Sequence, residues 1–351
     1  MNETTTENET TTERELIEAL QPIRGFATAA VISHLLESGA YDALAESPDG
    51  LTGAELAERL GLDRERLDAL LVFAANESLV RAEEGRYTLV DGVERFGRFR
   101  AWYEMLIGGY GRTLLDIGNR LAPESGYAER DGAAVGRGSC GISMYDSIPI
   151  VRRLLDAAGL EVDLVLDVGC GSGIYLTELC KDGRAQRGIG IEPSRGAHEA
   201  ALEDIEKAGL SDRVQAVHDD ALSYLGRREV APDLVIVAFV LHEVLGQSGV
   251  EGVRRMLADV TAAAPDSHLI VIEVSYEGDD PAKMNDGLAR TYYNTYYLLH
   301  PFTHQRLERE EFWDRTFQEC GLEIVAKETT DADMDSTGFE LGYLLHPRGT
   351  A

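Results

Sequence analysis

The sequence predicts an α/β protein in which a mainly helical domain precedes a parallel sheet covered on both faces. From Val162 onward, continuous Val, Ile and Leu runs alternate with helical patterns, which is typical of buried parallel strands. A glycine-rich turn follows the first of these runs. Upstream of them, apolar residues recur mostly at helical spacing.

The parallel sheet is predicted from five apolar runs. They read DLVLDVG, RGIGIE, RVQAVHD, PDLVIVAFVLHE and SHLIVIEVSY, and a helix with a closing strand pair follows them. Strands that alternate with helices in this way predict a Rossmann-like domain, which we place at residues 126–351. The segment APESGYAERDGAAVGRGSCGISMYDSIP, residues 122–149, crosses the start of this domain; it is rich in Gly and Ser and is expected to be a linker.

The mainly helical domain is expected at residues 15–125, after an acidic, Thr-rich tail at 1–14 that we expect to be disordered. A helical pattern runs from Glu15 to about Ala45, and its thin polar side predicts that much of this helix is buried.

Two shorter helices and a strand pair are predicted next. Thr52 and Glu55 have the spacing of a capping box, Gly61 is expected to end that helix, and Asp63 to cap the next one. A strand pair turning at Gly85 follows, so the segment predicts a winged helix.

The charge decides what this winged helix can bind. The chain has 62 acidic and 33 basic residues and a net charge of -29, whereas nucleic acid requires a basic surface. We therefore interpret the winged helix as a dimerisation module. So many carboxylates with so few lysines also suggest a high-salt, cytoplasmic setting, in which salt screens the repulsion.

Membrane proteins and cysteine-ligated zinc sites are disfavoured by other features of the composition. No run of apolar residues is long enough to span a membrane, and the N-terminus has no signal-peptide pattern. The four cysteines show no zinc spacing and are expected to be free thiols.

The glycine-rich turn lies in LVLDVGCGSGIYL. Asp167 precedes three glycines, Gly169, Gly171 and Gly173, at a strand-to-helix turn. Such glycines permit positive φ and a close approach of the backbone to a ligand.

Two further acids end the next two strands. Glu192 is placed to accept hydrogen bonds from two ribose hydroxyls, and Asp220, beside Ala221, to bind an adenine amino group. Acids at three successive strand ends, without a phosphate-binding lysine, predict a positively charged nucleoside ligand.

With the motif DVGCGSG and these acids, the sequence resembles the class I S-adenosylmethionine-dependent methyltransferases. The resemblance implies S-adenosylmethionine as cofactor, and the GxGxG spacing disfavours a nicotinamide dinucleotide. A winged helix followed by this domain, over about residues 15–346, is similar to the small-molecule O-methyltransferases and the related 2-oxo acid C-methyltransferases. It implies a homodimer that acts on a small-molecule substrate.

The polar pair His242–Glu243 ends the fourth predicted strand, in DLVIVAFVLHEVLG. Ligands of open α/β sheets bind at the carboxyl ends of the strands, so we expect the pair to face the transferred methyl group. In the O-methyltransferases a His-Asp-Trp segment stands here and its histidine is the general base. His242 is accordingly a candidate base for a hydroxyl group. The alternative is a hydrogen-bonded histidine at the strand end beside a helix-starting carboxylate.

A metal centre is the other interpretation of this pair. His242, Glu243 and His300, with His304 as an alternative ligand, would supply two histidines and a carboxylate, as in iron-like sites. This interpretation matches the 2-oxo acid C-methyltransferases, where a divalent or ferric ion chelates the substrate and favours its enolate. C3 of the 2-oxo acid is then the nucleophile.

The first helical segment and VLHEVLG resemble the 2-ketoarginine methyltransferases, which methylate 5-guanidino-2-oxopentanoate at C3. The resemblance implies a carboxylate for the substrate guanidinium, with Asp146, Glu273 and Glu277 as candidates and a solvated carboxylate as the alternative for each. Arg290 can bind the substrate carboxylate or form a surface ion pair. N-methylation of arginine, with Glu243 orienting the nitrogen and no metal, stays open.

Overall fold

The computed structural model describes residues 10–227, 230–285 and 287–348, which form two compact units divided between Gly108 and Gly109. The division lies upstream of the boundary expected at residue 125. Residues after Gly109 belong to the second unit, where Thr113 donates its hydroxyl to the Glu129 carbonyl at 2.8 Å.

The first unit is mainly helical, as expected, with a small antiparallel sheet in the order β1-β3-β2. Its described elements are α1 (Thr11–Glu37), α2 (Ala40–Ala45), β1 (Leu51–Thr52), α3 (Gly53–Leu60), α4 (Arg64–Asn76), β2 (Val80–Glu83), β3 (Arg86–Leu89), α5 (Glu94–Arg98) and α6 (Arg100–Tyr103).

The predicted helix caps of this unit are confirmed. Thr52 and Glu55 form both hydrogen bonds of the capping box of α3, which ends at Gly61 with φ 65°. Asp63 accepts the Arg66 amide hydrogen at 2.9 Å and begins α4.

Helix α1 differs from its prediction in two ways. It begins at Thr11, inside the predicted tail, because the Thr10 side chain accepts the Glu13 amide hydrogen and caps the helix; residues 1–9 lie outside the described residues. Its first half is also exposed rather than buried, since Leu16 is 56% and Ile23 65% accessible. The thin polar side of this helix predicted that another element would cover it. Among the described residues of its own unit, no element covers this first half of α1.

The second unit contains a seven-stranded sheet among the described residues, in the order β6-β5-β4-β7-β8-β10-β9. The strands are parallel except β10, which is antiparallel to both neighbours. The predicted Rossmann-like fold and closing strand pair are confirmed. The strands are β4 (Val162–Val168), β5 (Ala185–Glu192), β6 (Val214–His218), β7 (Leu234–Ala238), β8 (His268–Val274), β9 (Leu322–Thr329) and β10 (Glu340–Pro347).

Helices cover both faces of this sheet, because its central strands are apolar on both sides. In β4, Leu166 and Val168 pack in one buried cluster while Val165 packs in the other. The helices are α7 (Gly111–Asp116), α8 (Gly132–Ser143), α9 (Ser147–Ala158), α10 (Ile174–Lys181), α11 (Arg195–Lys207), α12 (Ala221–Arg227), α13 (Leu241–Ala263), α14 (Asn294–Leu299) and α15 (Glu310–Glu319).

The glycine-rich segment predicted as a linker contains helix α8. Asp131 caps it by accepting the Ala134 amide hydrogen at 3.0 Å. Its small residues allow close packing, and the Cys140 sulfur comes within 3.2 Å of the position that a Cβ on Gly171 would take. Packing has outweighed the low helix propensity of glycine here.

The cysteines and the hydropathy of the helices can also be compared with the composition. The four cysteines are free thiols, as predicted. Among the described residues, no helix has the length and hydropathy of a membrane span.

Candidate active site

The glycine loop between β4 and α10 forms a cradle at the carboxyl edge of the sheet. Gly169, Gly171 and Gly173 have φ of 74°, 53° and 75°, a region that other residues avoid. A Cβ on Gly169 would also lie 2.9 Å from a methyl carbon of Val240. Backbone rather than side chains therefore lines this loop, and a ligand can approach it closely.

Two buried acids stand beside the loop. Asp167 is 1% exposed, and its Oδ2 atom has no hydrogen-bond partner. Burial, with the charge of Glu192, raises the pKa of Asp167 to about 8. Glu192 accepts the Gly171 amide hydrogen at 3.0 Å and that of Ser194 at 2.8 Å. Burial raises its pKa as well, although both hydrogen bonds oppose the shift.

Asp220 and Ala221 lie where β6 leads into α12. Asp220 is exposed, and its Oδ1 atom accepts the Ser223 amide hydrogen at 3.0 Å. Ala221 is the first residue of α12. The predicted nucleoside-binding residues thus stand at the carboxyl ends of β4, β5 and β6.

These residues fit a cationic nucleoside cofactor. The unpartnered oxygen of Asp167 can accept a hydrogen bond from an ammonium group, and each oxygen of Glu192 has a second lone pair for a ribose hydroxyl. A cation beside Asp167 would also lower the pKa of this carboxyl group and so oppose the effect of burial.

His242 lies in the first turn of α13 and not on the strand itself. Strand β7 ends at Ala238, and Phe239 follows with φ 57°, a strained conformation for a bulky residue. Strained residues of this kind are concentrated at functional sites. The turn at Phe239 redirects the chain so that α13 begins at Leu241.

Glu273, the penultimate residue of β8, holds His242 through two hydrogen bonds. Its Oε2 atom is 2.8 Å from His242 Nδ1, and its Oε1 atom accepts the His242 amide hydrogen at 3.1 Å. Their exposed fractions are 0% for Glu273 and 3% for His242. The carboxylate selects the tautomer with a proton on Nδ1, so Nε2 keeps its lone pair.

The pKa of His242 is raised. Burial alone would lower it, but the charge of Glu273 and its hydrogen bond outweigh burial. A buried histidine that is oriented by a carboxylate can act as a general base.

Glu243 faces two donors that sequence reasoning missed. Its Oε1 atom accepts hydrogen bonds from Arg130 at 2.6 Å and from Gln305 at 2.7 Å. Burial would raise the pKa of Glu243, but Arg130 and His242 lower it overall. Arg130 also donates to the Tyr110 hydroxyl at 3.2 Å.

His300 lies beside His242, whereas His304 does not share this contact. The rings of His242 and His300 have centroids 5.2 Å apart, and His304 instead stacks on Tyr127. His300 donates from Nδ1 to the Tyr296 carbonyl at 2.6 Å, and its buried Nε2 atom has no partner. Burial and the neighbouring His242 lower the pKa of His300 far below its usual range.

A metal would need ligands that are free and gathered together. Within the part of the chain that the structure describes, no group of three His, Cys, Asp or Glu side chains could hold a metal ion. The free Nε2 of His300 suits a ligand, but Glu243 is bound to Arg130 and Gln305. The residues as arranged therefore do not fit the predicted three-ligand centre.

The remaining predicted substrate residues lie in different settings. Glu277 is buried but already binds Lys283 and Arg309, each at 2.9 Å, so a substrate cation would have to displace them. Arg290 is exposed, in agreement with the surface alternative. Asp146 is buried, close enough to Glu340 for each to act on the other's pKa.

A cavity of about 520 Å³ opens beside His300. Tyr276, Tyr297 and Gln305 also line it. Its size is ample for a small metabolite.

The described residues together define a methyltransferase-type α/β enzyme, with a nucleoside cradle on one half of the sheet edge and a buried histidine–carboxylate pair on the other. A family model described as a methyltransferase domain matches residues 142–327. The chain is 41% identical over 341 residues to the 2-ketoarginine methyltransferase of Streptomyces arginensis, which covers 95% of this chain and 96% of that protein.

Solved structures show the same fold. An O-methyltransferase family protein from Burkholderia thailandensis superposes with a TM-score of 0.63 at 14% identity, over 98% of this chain and all of that one. A methyltransferase of calicheamicin biosynthesis, solved with SAH bound, superposes with a TM-score of 0.59 at 20% identity, over 97% of this chain and 100% of that one. The chain therefore belongs to the methyltransferase-domain family, and it is an S-adenosylmethionine-dependent methyltransferase of a small metabolite.

Proposed function

We propose that this enzyme methylates C3 of a small 2-oxo acid and that the acid is 5-guanidino-2-oxopentanoate, which is 2-ketoarginine. The observation that carries the proposal is the buried His242–Glu273 pair, joined at 2.8 Å on the half of the sheet edge next to the cofactor cradle. The name of the Streptomyces arginensis relative supports the substrate.

The base in this proposal is His242. S-adenosylmethionine supplies an electrophilic methyl group when it is bound. C3 of a 2-oxo acid becomes a nucleophile only after it loses a proton. We assign the removal of this proton to the lone pair on His242 Nε2, which lies 3.5 Å from the side-chain nitrogen of Gln305. Glu273 keeps the ring in the required tautomer and stabilises the imidazolium that forms.

Arg130 is the proposed partner of the substrate carboxylate. Its guanidinium is anchored by Glu243 and Tyr110, and its side chain is 25% exposed, so further donors stay available to a ligand. An arginine fork binds a carboxylate in two parallel hydrogen bonds. The same cation would stabilise the negative charge that develops on the enolate oxygen.

Metal assistance is a second candidate, favoured by the unpartnered Nε2 atom of His300. His242 and His300 each direct Nδ1 to an acceptor, Glu273 and the Tyr296 carbonyl, as metal-bound histidines do. The two histidines would hold the ion, with Glu243 as third ligand only if it left Arg130.

Product analysis tests the reaction directly. The protein is incubated with methyl-¹³C-labelled S-adenosylmethionine and 5-guanidino-2-oxopentanoate, and NMR locates the label. A methyl doublet coupled to the C3 proton supports the proposal. A label on oxygen or on a guanidino nitrogen would replace it with the O- or N-methylation alternative.

A chelator distinguishes His242 acting as a base from His242 acting as a metal ligand. Turnover that survives dialysis against EDTA supports the His242–Glu273 pair acting without a metal. Turnover that disappears and returns with one added divalent ion supports the His242–His300 ligand pair.

We also propose that the chain works as a homodimer in a salt-rich cytoplasm and that residues 15–108 hold its winged-helix dimerisation module. The exposed apolar side chains of α1 and the net charge of -29 support this. Sedimentation velocity in molar and in millimolar salt tests both parts. A folded monomer in molar salt contradicts the dimer, and unchanged folding at low salt contradicts the salt requirement.

A further inference from the structure

A second pair of acids lies at the same edge of the sheet as the His242–Glu273 pair. Asp146 caps α9 and is 9% exposed, and Glu340 begins β10 and is 3% exposed. The two carboxyl groups are close enough to act on each other's pKa. The Oε1 atom of Glu340 is buried and has no partner.

The register of the sheet places this acid pair close to the proposed base. Glu340 pairs with Val274 and Leu341 with Glu273, so Glu340 is one residue pair away from the carboxylate that holds His242. Opposed residues share a face and successive ones alternate, so Glu340 and Glu273 point to opposite faces. The acid pair and the carboxylate that holds His242 therefore lie at the same edge of the sheet.

No described residue forms an ion pair with either member of this acid pair. The charges that act on Glu340 are those of Asp146 and Asp335, and they add to the effect of burial in raising its pKa. None of the ion pairs between described residues includes Asp146 or Glu340. Burying carboxyl groups without a cation is costly, so the site lacks a positive partner.

Glu277 is the internal comparison. It lies at the same edge and is 6% exposed, as buried as Asp146 and Glu340, but it binds both Lys283 and Arg309. Among the described residues, the fold therefore neutralises Glu277 with its own cations and leaves Asp146 and Glu340 without an ion pair.

Aromatic rings connect the acid pair with the histidines. Burial raises the pKa of Tyr292, and the charges of Asp146 and Glu340 raise it further. Tyr296 lies near enough to Glu273 and Glu340 for both charges to raise its pKa in addition to burial, and its ring is 4.1 Å from that of His300. Tyrosine faces attract cations, and Tyr292 is only partly buried.

We propose that Asp146 and Glu340 bind the guanidinium group of the substrate, with Tyr292 and Tyr296 as the aromatic walls. This inference rests on the proposed function, which it deepens by naming the residues that select a guanidino side chain. A guanidinium is planar and carries parallel donors, which match two adjacent carboxyl oxygens.

The acid pair also predicts that binding releases a proton. Burial raises the pKa of both carboxyl groups, that of Asp146 to about 6, so the buried pair favours holding a proton when no cation is bound. A bound guanidinium favours both carboxylates in their charged form, so this proton leaves. Calorimetry in buffers of different ionisation enthalpy measures this release.

Substrate selectivity tests the assignment. The conservative variants Glu340→Gln and Asp146→Asn are compared with wild type on 5-guanidino-2-oxopentanoate and on its uncharged analogue 5-ureido-2-oxopentanoate. We expect KM for the guanidino substrate to rise roughly tenfold to a hundredfold, and KM for the ureido analogue to stay the same or fall. Glu277→Gln is the matched control and should not change this ratio.

Binding without turnover keeps the test independent of the proposed reaction. SAH-loaded protein is titrated with arginine and with citrulline, its uncharged isostere. Arginine should bind wild type with proton release and at least roughly tenfold more weakly to Glu340→Gln, whereas citrulline should not respond to the substitution. SAH affinity should be equal in all variants, which shows that they are folded.

Two results would overturn the assignment. Equal losses on both 2-oxo acids would show that the pair has only a structural role. Arginine binding that is unchanged in Glu340→Gln and Asp146→Asn would place the guanidinium elsewhere. If arginine binds as expected and neither 2-oxo acid is methylated, the guanidinium site stands and the proposed reaction fails.

Discussion

The two halves of the carboxyl edge of the sheet are built in different ways. The cofactor half uses short stretches of chain, because Asp167 to Gly173 form one loop and Glu192 accepts hydrogen bonds from the backbone of Gly171 and Ser194. The substrate half collects side chains from distant segments. Arg130 and Glu243 are 113 residues apart in the sequence, and His242 and Glu273 are 31 apart.

This difference predicts how each half of the sheet edge responds to mutation. Backbone amides hold Glu192 and Asp220, so we expect a substitution there to remove one ligand contact and to leave the neighbouring side chains in place. Side chains hold one another in the substrate half, so a substitution there also leaves its partner unsatisfied. We expect the larger and less additive losses in the substrate half.

The largest expected effect is that of His242→Ala. Removing the base should lower kcat roughly 10²- to 10⁴-fold and leave SAM affinity unchanged. His268→Ala is the control, because His268 begins β8 at the opposite edge of the sheet. Steady-state kinetics with calorimetry measure both quantities, and an equal loss in the two variants would contradict the role of His242.

Glu273→Gln should have the next largest effect. Loss of the charge-assisted hydrogen bond should lower kcat about tenfold to a hundredfold. The base must be neutral, so the rate rises with pH through the pKa of His242, and Glu273 raises that pKa. Its removal should move the inflection of the kcat profile to lower pH. An inflection that does not move, or that moves to higher pH, would show that Glu273 does not set the ionisation of His242.

In the cofactor half, Glu192→Ala should weaken SAM binding about tenfold to a hundredfold, because the ribose hydroxyls lose charged acceptors. Once SAM is saturating, kcat should be close to wild type. Glu199→Ala on α11 is the control, since Glu199 is exposed and, among the described residues, pairs with Arg195 at 3.0 Å. Unchanged SAM affinity in Glu192→Ala would contradict the ribose contact.

Asp220→Ala should have the smallest effect. Asp220 is exposed, and water competes for its hydrogen bond to the adenine amino group, so SAM affinity should fall roughly twofold to tenfold. The double variant with Glu192→Ala should show additive losses in free energy of binding. A strongly non-additive result would remove the contrast with the His242–Glu273 pair.

The cofactor half could be predicted from the sequence because its residues occur in local motifs. The order of strands and helices, the glycine loop and the acids at the strand ends follow from apolar runs and from turn chemistry. His242 was also found, since it directly follows a buried run, although the turn at Phe239 places it on a helix.

The partners in the substrate half could not be predicted in the same way. Nothing local in the sequence marks Arg130 or Gln305, which meet Glu243 only through the tertiary fold. Glu273 was expected to bind substrate, but it holds His242 instead. Glu340 begins an antiparallel strand, and its register against β8, which the sequence does not show, brings it to the site.

Exchange of the C3 proton in D₂O tests the central claim most directly, because it follows the base without requiring methyl transfer. The SAH-loaded protein is mixed with 5-guanidino-2-oxopentanoate, and the C3–H signal is followed by NMR. We predict that wild type accelerates loss of this signal and that His242→Ala returns it to the rate without enzyme. Equal exchange in both proteins, or none in a wild type that still methylates C3, would contradict the account.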